Sequence, residues 1–498
     1  MKPSTPKGTR DFSPTEMVRR NFIFKTIREV FEKYGYQPIE TPAMENLETL
    51  TGKYGDEGDK LIFKILDSGE YFESVRKDLK EDLQSKKTSL LNLEDENFNK
   101  QTLQEQWECI EKIITDIKTQ DVTKHISEKA LRYDLTVPFA RYVVQHQNEI
   151  TFPFKRYQIQ PVWRADRPQR GRYREFYQCD ADVIGSDSLL NEVELIQIIN
   201  DVYTKLGISV TIKINNRKIL QGIADFFKIK DFSEFVTILD KADKMGAEFV
   251  RKELISQNIL PLPEAGMFST LFFESPQKEL KAAIDQNKLN LLKVWNEDAN
   301  SEIGKKGVEE IEFIFSQLSN IQYPTSNIQL DISLARGLNY YTGAIFEVKA
   351  NDLQMGSICG GGRYDDLTGI FGLPNISGVG ISFGIDRIFD VMNELNLFDS
   401  IGLTASITKV MLAHFGEAER TYCIGVASQL RVSGINTEVY PDITKKISKQ
   451  FGYANKKQIP FVIVIGGDEM KTGELTLKNM ISGEQIKMKV DLIISKLI

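Results

Sequence analysis

Arg164, Arg167, Arg170, Arg172 and Arg174 fall within eleven positions of one stretch, 162–185, and Asp180 and Asp182 follow them. A guanidinium is a planar, permanently charged donor that grips phosphate oxygens two at a time. A carboxylate beside it suits an ammonium group or an imidazole N–H. Residues of both kinds at one site could hold a polyphosphate and an amino-bearing substrate side by side. From 172 to 182 the even positions read Arg, Arg, Phe, Gln, Asp, Asp and the odd ones Tyr, Glu, Tyr, Cys, Ala. A strand of period 2 therefore puts Arg172, Gln178 and Asp182 on one side. The preceding run also keeps its polar residues even, at Arg156, Gln158, Gln160 and Arg164. Two such strands joined by DRPQRG predict an antiparallel hairpin. Its arginine-rich face reads either as a solvated surface laced with ion pairs or as the wall of a cleft. The aromatic and apolar opposite face favours the cleft.

The surrounding elements must position that hairpin. Ser13-Pro14-Thr15-Glu16 is a capping box with proline at the first helical position. Ile23, Ile27, Val30, Phe31 and Tyr34 continue at helical spacing to Gly35, and the strand YQPIETP follows. Residues 212–322 alternate amphipathic stretches with short polar breaks and predict a mostly helical insertion between two halves of a sheet. Beyond the break at 396–408, VMLAHFG, INTEVYP, FVIVIGG and LTLKNM read as strands between helices such as AERTYCIGVASQLRVSG. That alternation predicts a small α/β domain.

Bulk properties narrow the function classes. A chain of 498 residues exceeds the size of one core and implies two to four domains. No run approaches the ~20 apolar residues of a membrane span, and MKPSTPKGTRDF lacks the apolar centre of a signal peptide. The 4 cysteines and 3 histidines are scattered without a C-x-x-C pair, which supports neither a disulfide framework nor a zinc site. A reducing cytoplasm is the expectation. The net charge of −7 is concentrated at 67–128, where 15 Asp and Glu face 9 Lys and Arg. The last 94 residues, from 405, are basic instead, with 13 Lys and Arg against 9 Asp and Glu. A basic terminal module on a neutral body is compatible with nucleic acid.

The stretch RADRPQRGRYREFYQ, together with ARGLNYYTG at 335–343 and GGRYDDL at 361–367, resembles the class II aminoacyl-tRNA synthetases, and within them the histidyl-tRNA synthetase family. Three long motifs in order, over most of the chain from Pro6, carry the likeness. It implies an α+β fold, an antiparallel sheet flanked by helices. The catalytic domain would be 1–211 with 323–397, the helical insertion 212–322, and an anticodon-binding α/β domain 405–498. The first helix and strand resemble motif 1, which implies a homodimer. The polar stretch 67–128 is longer than the family's usual connection, and reads either as a solvated helical excursion or as an added contact surface.

The resemblance also implies roles. Activation joins an amino-acid carboxylate to the α-phosphorus of ATP, a step that needs charge screening and alignment and no protein nucleophile. Arg164 would contact the α-phosphate and substrate carboxylate, Arg172 the outer phosphates, and Arg387, in SFGIDRIF at a helix start, the pyrophosphate end. Arg336 would supply the catalytic charge at the α-phosphate, with Mg2+ on the nucleotide. Asp134, Thr136 and Gln178 would bind the histidine amino group. Asp182, Tyr340 and Tyr341 would meet the imidazole, and Tyr364 would close the pocket. Asp134 and Asp182 stand where many relatives carry glutamate. The glycines at 360–362 form no phosphate-loop pattern and suit a close approach of backbone to substrate. The implied partners are ATP, L-histidine and tRNA(His), with no membrane. Two rivals are a synthetase-like regulatory subunit of ATP phosphoribosyltransferase and a class II synthetase for another amino acid. The C-terminal module and the intact motifs weigh against the first, and RGLNYYTG with a carboxylate at 182 against the second.

Overall fold

The computed structural model describes residues 3–68, 126–273, 281–335, 341–401, 403, 406–444 and 446–498. Most of the acidic stretch expected at 67–128 therefore lies outside the described residues. The chain separates into two compact units, Met1–Thr9 with Ile27–Val391, and Arg10–Thr26 with Met392–Ile498.

In chain order the first unit holds β1 (Gln37–Pro38), β2 (Met44–Asn46), β3 (Lys64–Ile65) and β4 (Lys129–Leu131), then β5 (Phe154–Trp163), β6 (Glu175–Ile184) and β7 (Val210–Asn216). After the insertion come β8 (Ile328–Leu330), β9 (Ala344–Ala350), β10 (Cys359–Asp365) and β11 (Ser377–Gly384). Eight of these form one sheet, in the order β1-β5-β6-β11-β10-β9-β7-β8. Its two outer pairings are parallel and its five inner ones antiparallel. β2, β4 and β3 make a small separate sheet.

The expected hairpin is β5–β6, in register from Phe154↔Ile184 to Trp163↔Glu175. Its connection is longer than DRPQRG, running from Arg164 to Arg174, whose backbones still share a hydrogen bond of 2.9 Å. Inside it Gln169 and Arg172 exchange backbone hydrogen bonds around Gly171, at φ +68°. Arg172 is thus a turn residue, not a member of the strand face that period 2 assigned it. The turn occupies the start of the alternation, and β6 begins only at Glu175.

The polar face of β6 continues across the sheet. Asp182 pairs with Gly380 and Asp180 with Ser382, and these in turn with Gly362 and Gly360 of β10. The opposite face is apolar. Phe383 lies 5.9 Å from the ring of Phe31 and 5.6 Å from that of Tyr203, on the helix Leu190–Leu206. That helix buries Leu195, Ile196, Ile198, Ile199 and Val202 completely, each worth roughly 1.5–3 kcal/mol. Gly207, at φ 70°, ends it.

The insertion begins later than position 212, because 212–216 belong to β7. Its described helices run from Arg217 to Asn320. Trp295 stacks on Phe226 at 4.6 Å with Phe227 edge-on. In the second unit the capping box forms as expected: Glu16 accepts from the Ser13 backbone at 2.7 Å. β12 (Val410–His414), β13 (Thr437–Val439), β14 (Phe461–Ile465), β15 (Glu474–Asn479) and β16 (Gln485–Lys489) form a mixed sheet in the order β13-β12-β14-β15-β16. The strand β16 went unread because its apolar positions are only Ile486 and Met488.

Candidate active site

A cavity of about 510 Å³ opens over the polar face of the large sheet. Seven of the residues singled out from sequence line it: Asp134, Thr136, Arg164, Arg172, Gln178, Tyr341 and Arg387. They come from five separate parts of the chain. The turn before the helix Thr136–Gln145 and the first residue of that helix supply the first two. The hairpin connection and β6 supply the next three, and the segments before β9 and after β11 supply Tyr341 and Arg387.

Each charged member is held by its neighbours. The guanidinium of Arg164 lies over the Tyr133 ring at 4.3 Å and beside Phe176 at 5.3 Å, while its Nε donates to the Tyr133 carbonyl. Stacking and hydrogen bond together fix the plane of the fork. Arg172 Nη2 pairs with Asp166 Oδ1. Arg387, in the first turn of the helix Ile385–Glu394, donates from Nε to the Gly171 carbonyl and from Nη1 to the Ser357 carbonyl. It ties the hairpin connection to the segment before β10.

The same cavity is lined by a carboxylate and an amide whose oxygens are not all paired. Asp134 Oδ1 accepts from the Val137 backbone N–H and from Tyr54 Oη, each at 3.1 Å. Its Oδ2 is buried with no hydrogen-bond partner among the described residues. Burial pushes this carboxyl above the usual range, and the nearby Arg164 guanidinium pulls it back. Gln178 donates to Ser382 Oγ at 2.7 Å, leaving its Oε1 buried without a described partner. A buried carboxylate oxygen and a buried carbonyl oxygen without described partners are groups that favour a cationic donor.

Asp182 and Tyr364 are placed differently from the expectation. Neither reaches the cavity wall. Both are 2% exposed and bonded to each other, Tyr364 Oη donating to Asp182 Oδ1 at 2.7 Å. Asp182 Oδ2 faces Arg156 Nη2 at 2.8 Å. The cause is the register, which sets Asp182 two positions beyond Asp180 and four beyond Gln178, the last of the face to touch the cavity. Arg336 and Tyr340, from the motif at 335–343, lie outside the described residues.

Several wall residues were not foreseen. Ser382 bridges Gln178 and the Asp180 carboxyl; its even position in β11 was the available signal. Asp166 anchors Arg172, and its place in DRPQRG marks only a connection. Asp240 reaches the cavity from the end of an insertion helix, Phe232–Asp240, with nothing local to mark it. Asp180 is completely enclosed, and burial raises its carboxyl to about 7, with Arg156 opposing and Asp182 reinforcing that rise.

A family model for histidyl-tRNA synthetase matches residues 8–95 and 115–388, and a model for an anticodon binding domain matches 409–498. The histidine–tRNA ligase of Phocaeicola vulgatus is 53% identical over 485 residues, covering 97% of this chain and 96% of its own. That of Cytophaga hutchinsonii is 50% identical over 499 residues, covering both chains completely. Among solved structures, the histidyl-tRNA synthetase from Nostoc sp. PCC 7120 superposes with a TM-score of 0.76 at 28% identity over the full length of both chains.

Proposed function

The chain belongs to the histidyl-tRNA synthetase family, and we propose on that premise how its cavity activates histidine with ATP and charges tRNA(His). The observation that carries the reading is one cavity lined by four arginines, Arg164, Arg170, Arg172 and Arg387, together with Asp134, Thr136 and Gln178. A polyphosphate and an ammonium-bearing amino acid suit such a mixed lining. Both rival readings fall: the motifs are intact, and relatives about half identical over the full chain are histidine–tRNA ligases.

In the first step a carboxylate oxygen of histidine attacks the α-phosphorus. The new P–O bond forms as the bond to pyrophosphate breaks, and the electron pair leaves with pyrophosphate. Arg164 spans the two reacting groups, its plane fixed by Tyr133, and so needs no reorientation as charge builds. Arg172 and Arg387 hold the outer phosphates. Arg336 supplies positive charge at the α-phosphate. Asp134 Oδ2 and Gln178 Oε1, with Thr136, hold the amino group, and Tyr340 and Tyr341 flank the imidazole. In the second step the 3′-terminal ribose hydroxyl of the tRNA attacks the acyl carbon, loses its proton, and AMP leaves.

Among the described residues no group of three His, Cys, Asp or Glu side chains could hold a metal ion. Mg2+ borne mainly by phosphate oxygens and water needs no such cage, so this site suits an ion that arrives on ATP. When bound, it neutralises phosphate charge. The C-terminal unit reads the anticodon, and the enzyme works as a cytoplasmic homodimer. Among the described residues no helix is long and apolar enough to cross a membrane.

ATP–pyrophosphate exchange, run with each of the twenty amino acids separately, tests the reading. Exchange with histidine alone is the expected result. Exchange with another amino acid would keep the assignments to the phosphates and overturn those to the amino acid.

A further inference from the structure

We propose that Thr342 is a positioning residue for the activation step: clamped by Asp365, it sets the Tyr341 ring where bound histidine meets it. The inference rests on the function proposed above, in which Tyr341 flanks the imidazole, and adds what holds that ring in place. Tyr341 lines the cavity, yet no strand pairing reaches it. β9 begins at Ala344, and its ladders end at Ile345↔Gly362 on one side and Ala344↔Asn216 on the other. A residue beyond the end of a ladder keeps one orientation only if other contacts offset the freedom it loses.

Those contacts come from the next residue. The Thr342 backbone N–H donates to the Arg363 carbonyl at 2.9 Å. Its hydroxyl donates to Asp365 Oδ2 at 2.6 Å and accepts from the Asp365 backbone N–H at 3.0 Å. Asp365 is fixed in its turn. Ser377, directly across from it on β11, donates from Oγ to Oδ1 at 2.5 Å and accepts from Arg363 Nη1 at 2.7 Å. Arg363 closes the series in a bidentate pair with the fully buried Glu192, at 2.6 and 2.7 Å. The helix Leu190–Leu206 is therefore the anchor, and Arg363, Ser377 and Asp365 relay its position to Thr342.

The Tyr341 ring lies on glycine. A methyl group on Gly362 would sit 3.0 Å from its Cδ1 and 3.1 Å from its Cε1, so the ring covers the backbone of β10 at that point. A methyl group on Gly343 would meet Arg363 Cδ at 3.1 Å, and the Gly343 carbonyl accepts from the Arg217 backbone at 2.9 Å. The segment 341–343 is thus gripped both by β10 and by the first residue of the insertion. Exposure shows what the clamp does. Asp365 is exposed, so water can replace a lost hydroxyl there and the bond adds little stability. What remains is orientation, and a small misplacement of a group that meets substrate weakens the productive complex.

The test compares Thr342→Val with Thr342→Ser in the full-length enzyme by ATP–pyrophosphate exchange. Valine keeps the branched shape and loses the hydroxyl; serine keeps the hydroxyl. Thr342→Val should raise the KM for histidine about tenfold and leave the KM for ATP within about twofold. Thr342→Ser should stay within about threefold of wild type for both. The effect must run through the ring, so Thr342→Val added to Tyr341→Ala should raise the histidine KM by less than about twofold more. A histidine KM for Thr342→Val within about twofold of wild type, or an undiminished rise in the Tyr341→Ala background, overturns the proposal. So does an equal loss with serine and with valine. If Thr342→Val fails to fold, Asp365→Ala removes the same bond from its other end and is held to the same outcomes. Tyr341→Ala with an unchanged histidine KM would overturn the role of Tyr341 and the proposal together, whereas a rise there with none in Thr342→Val overturns the proposal alone. Failure of the wild-type enzyme to exchange with histidine would overturn the underlying function, and is seen before any variant is made.

Discussion

Arg172 Nη2 stands 2.8 Å from Asp166 Oδ1 on the wall of the cavity, and both side chains come from the connection between β5 and β6. The ion pair holds the guanidinium where the outer phosphates of ATP are expected. Asp166 is nearly buried while Arg172 is 42% exposed at its side chain. The pair is therefore worth little as stability and more as orientation. Arg172→Ala should slow adenylate formation about a hundredfold and leave the KM for histidine nearly unchanged. Single-turnover formation of adenylate measures this, and a rate within about threefold of wild type would sink the assignment of Arg172 to the phosphates.

Two glycines of the sheet floor should respond in opposite ways. A methyl group on Gly380 would sit 2.0 Å from Asp182 Oδ1 and 2.9 Å from the Ala181 carbonyl. Gly380→Ala must displace that carboxylate and disturb its contacts with Tyr364 and Arg156. It should cost about 1–3 kcal/mol of stability. A methyl group on Gly360 finds space but projects at the cavity. Gly360→Ala should keep its unfolding midpoint and lose affinity for histidine. Equilibrium unfolding alongside exchange kinetics separates the two, and equal stability losses would show that the floor does not distinguish them.

Arg336 is assigned a role by its motif alone. Lysine there keeps the charge and loses the planar fork. Arg336→Lys should lower adenylate formation by about two to three orders of magnitude with both substrates still bound. Binding measured by calorimetry, set against single-turnover chemistry, tests this; unchanged chemistry would take Arg336 out of the catalytic step.

How far the sequence reached follows from what local order can encode. Alternation at Arg156, Gln158, Gln178, Asp180 and Asp182 exposed a polar strand face because pleating makes period 2 unavoidable. The helix at Ser13–Glu16 was legible because its cap is a contact between residues three apart. Depth along that face was not legible. Nothing in the residue types says that Gln178 meets the cavity while Asp182 is sealed behind it, since that depends on where β10 and β11 lie across the strand. Nor could Arg172 be lifted off the strand without knowing that Gln169 and Arg172 close a turn. Asp240 shows the limit most plainly. It reaches the cavity from the helix Phe232–Asp240, far beyond the hairpin in sequence, and only tertiary folding brings it there.

Tyr54 donates to Asp134 Oδ1 at 3.1 Å, in a wholly buried contact behind a carboxyl that lines the cavity. Burial raises the Asp134 carboxyl, while Arg164, the Val137 backbone and the Tyr54 hydroxyl each draw it back down. Removing the hydroxyl takes away one of the groups that favour the charged form, so in Tyr54→Phe the carboxyl should titrate higher than in the wild type. Only the ionised carboxylate can receive the substrate ammonium. The variant is therefore expected to show its largest increase in histidine KM at acidic pH, where more of Asp134 is protonated. The deficit should shrink as pH rises and Asp134 loses that proton. Histidine KM followed from acidic to neutral pH in both proteins tests the sign. A ratio between variant and wild type that stays flat across that range would mean that Tyr54 packs the site without tuning Asp134. A ratio that grows with pH would mean that the protonated carboxyl is the binding form, and would reverse the role assigned here.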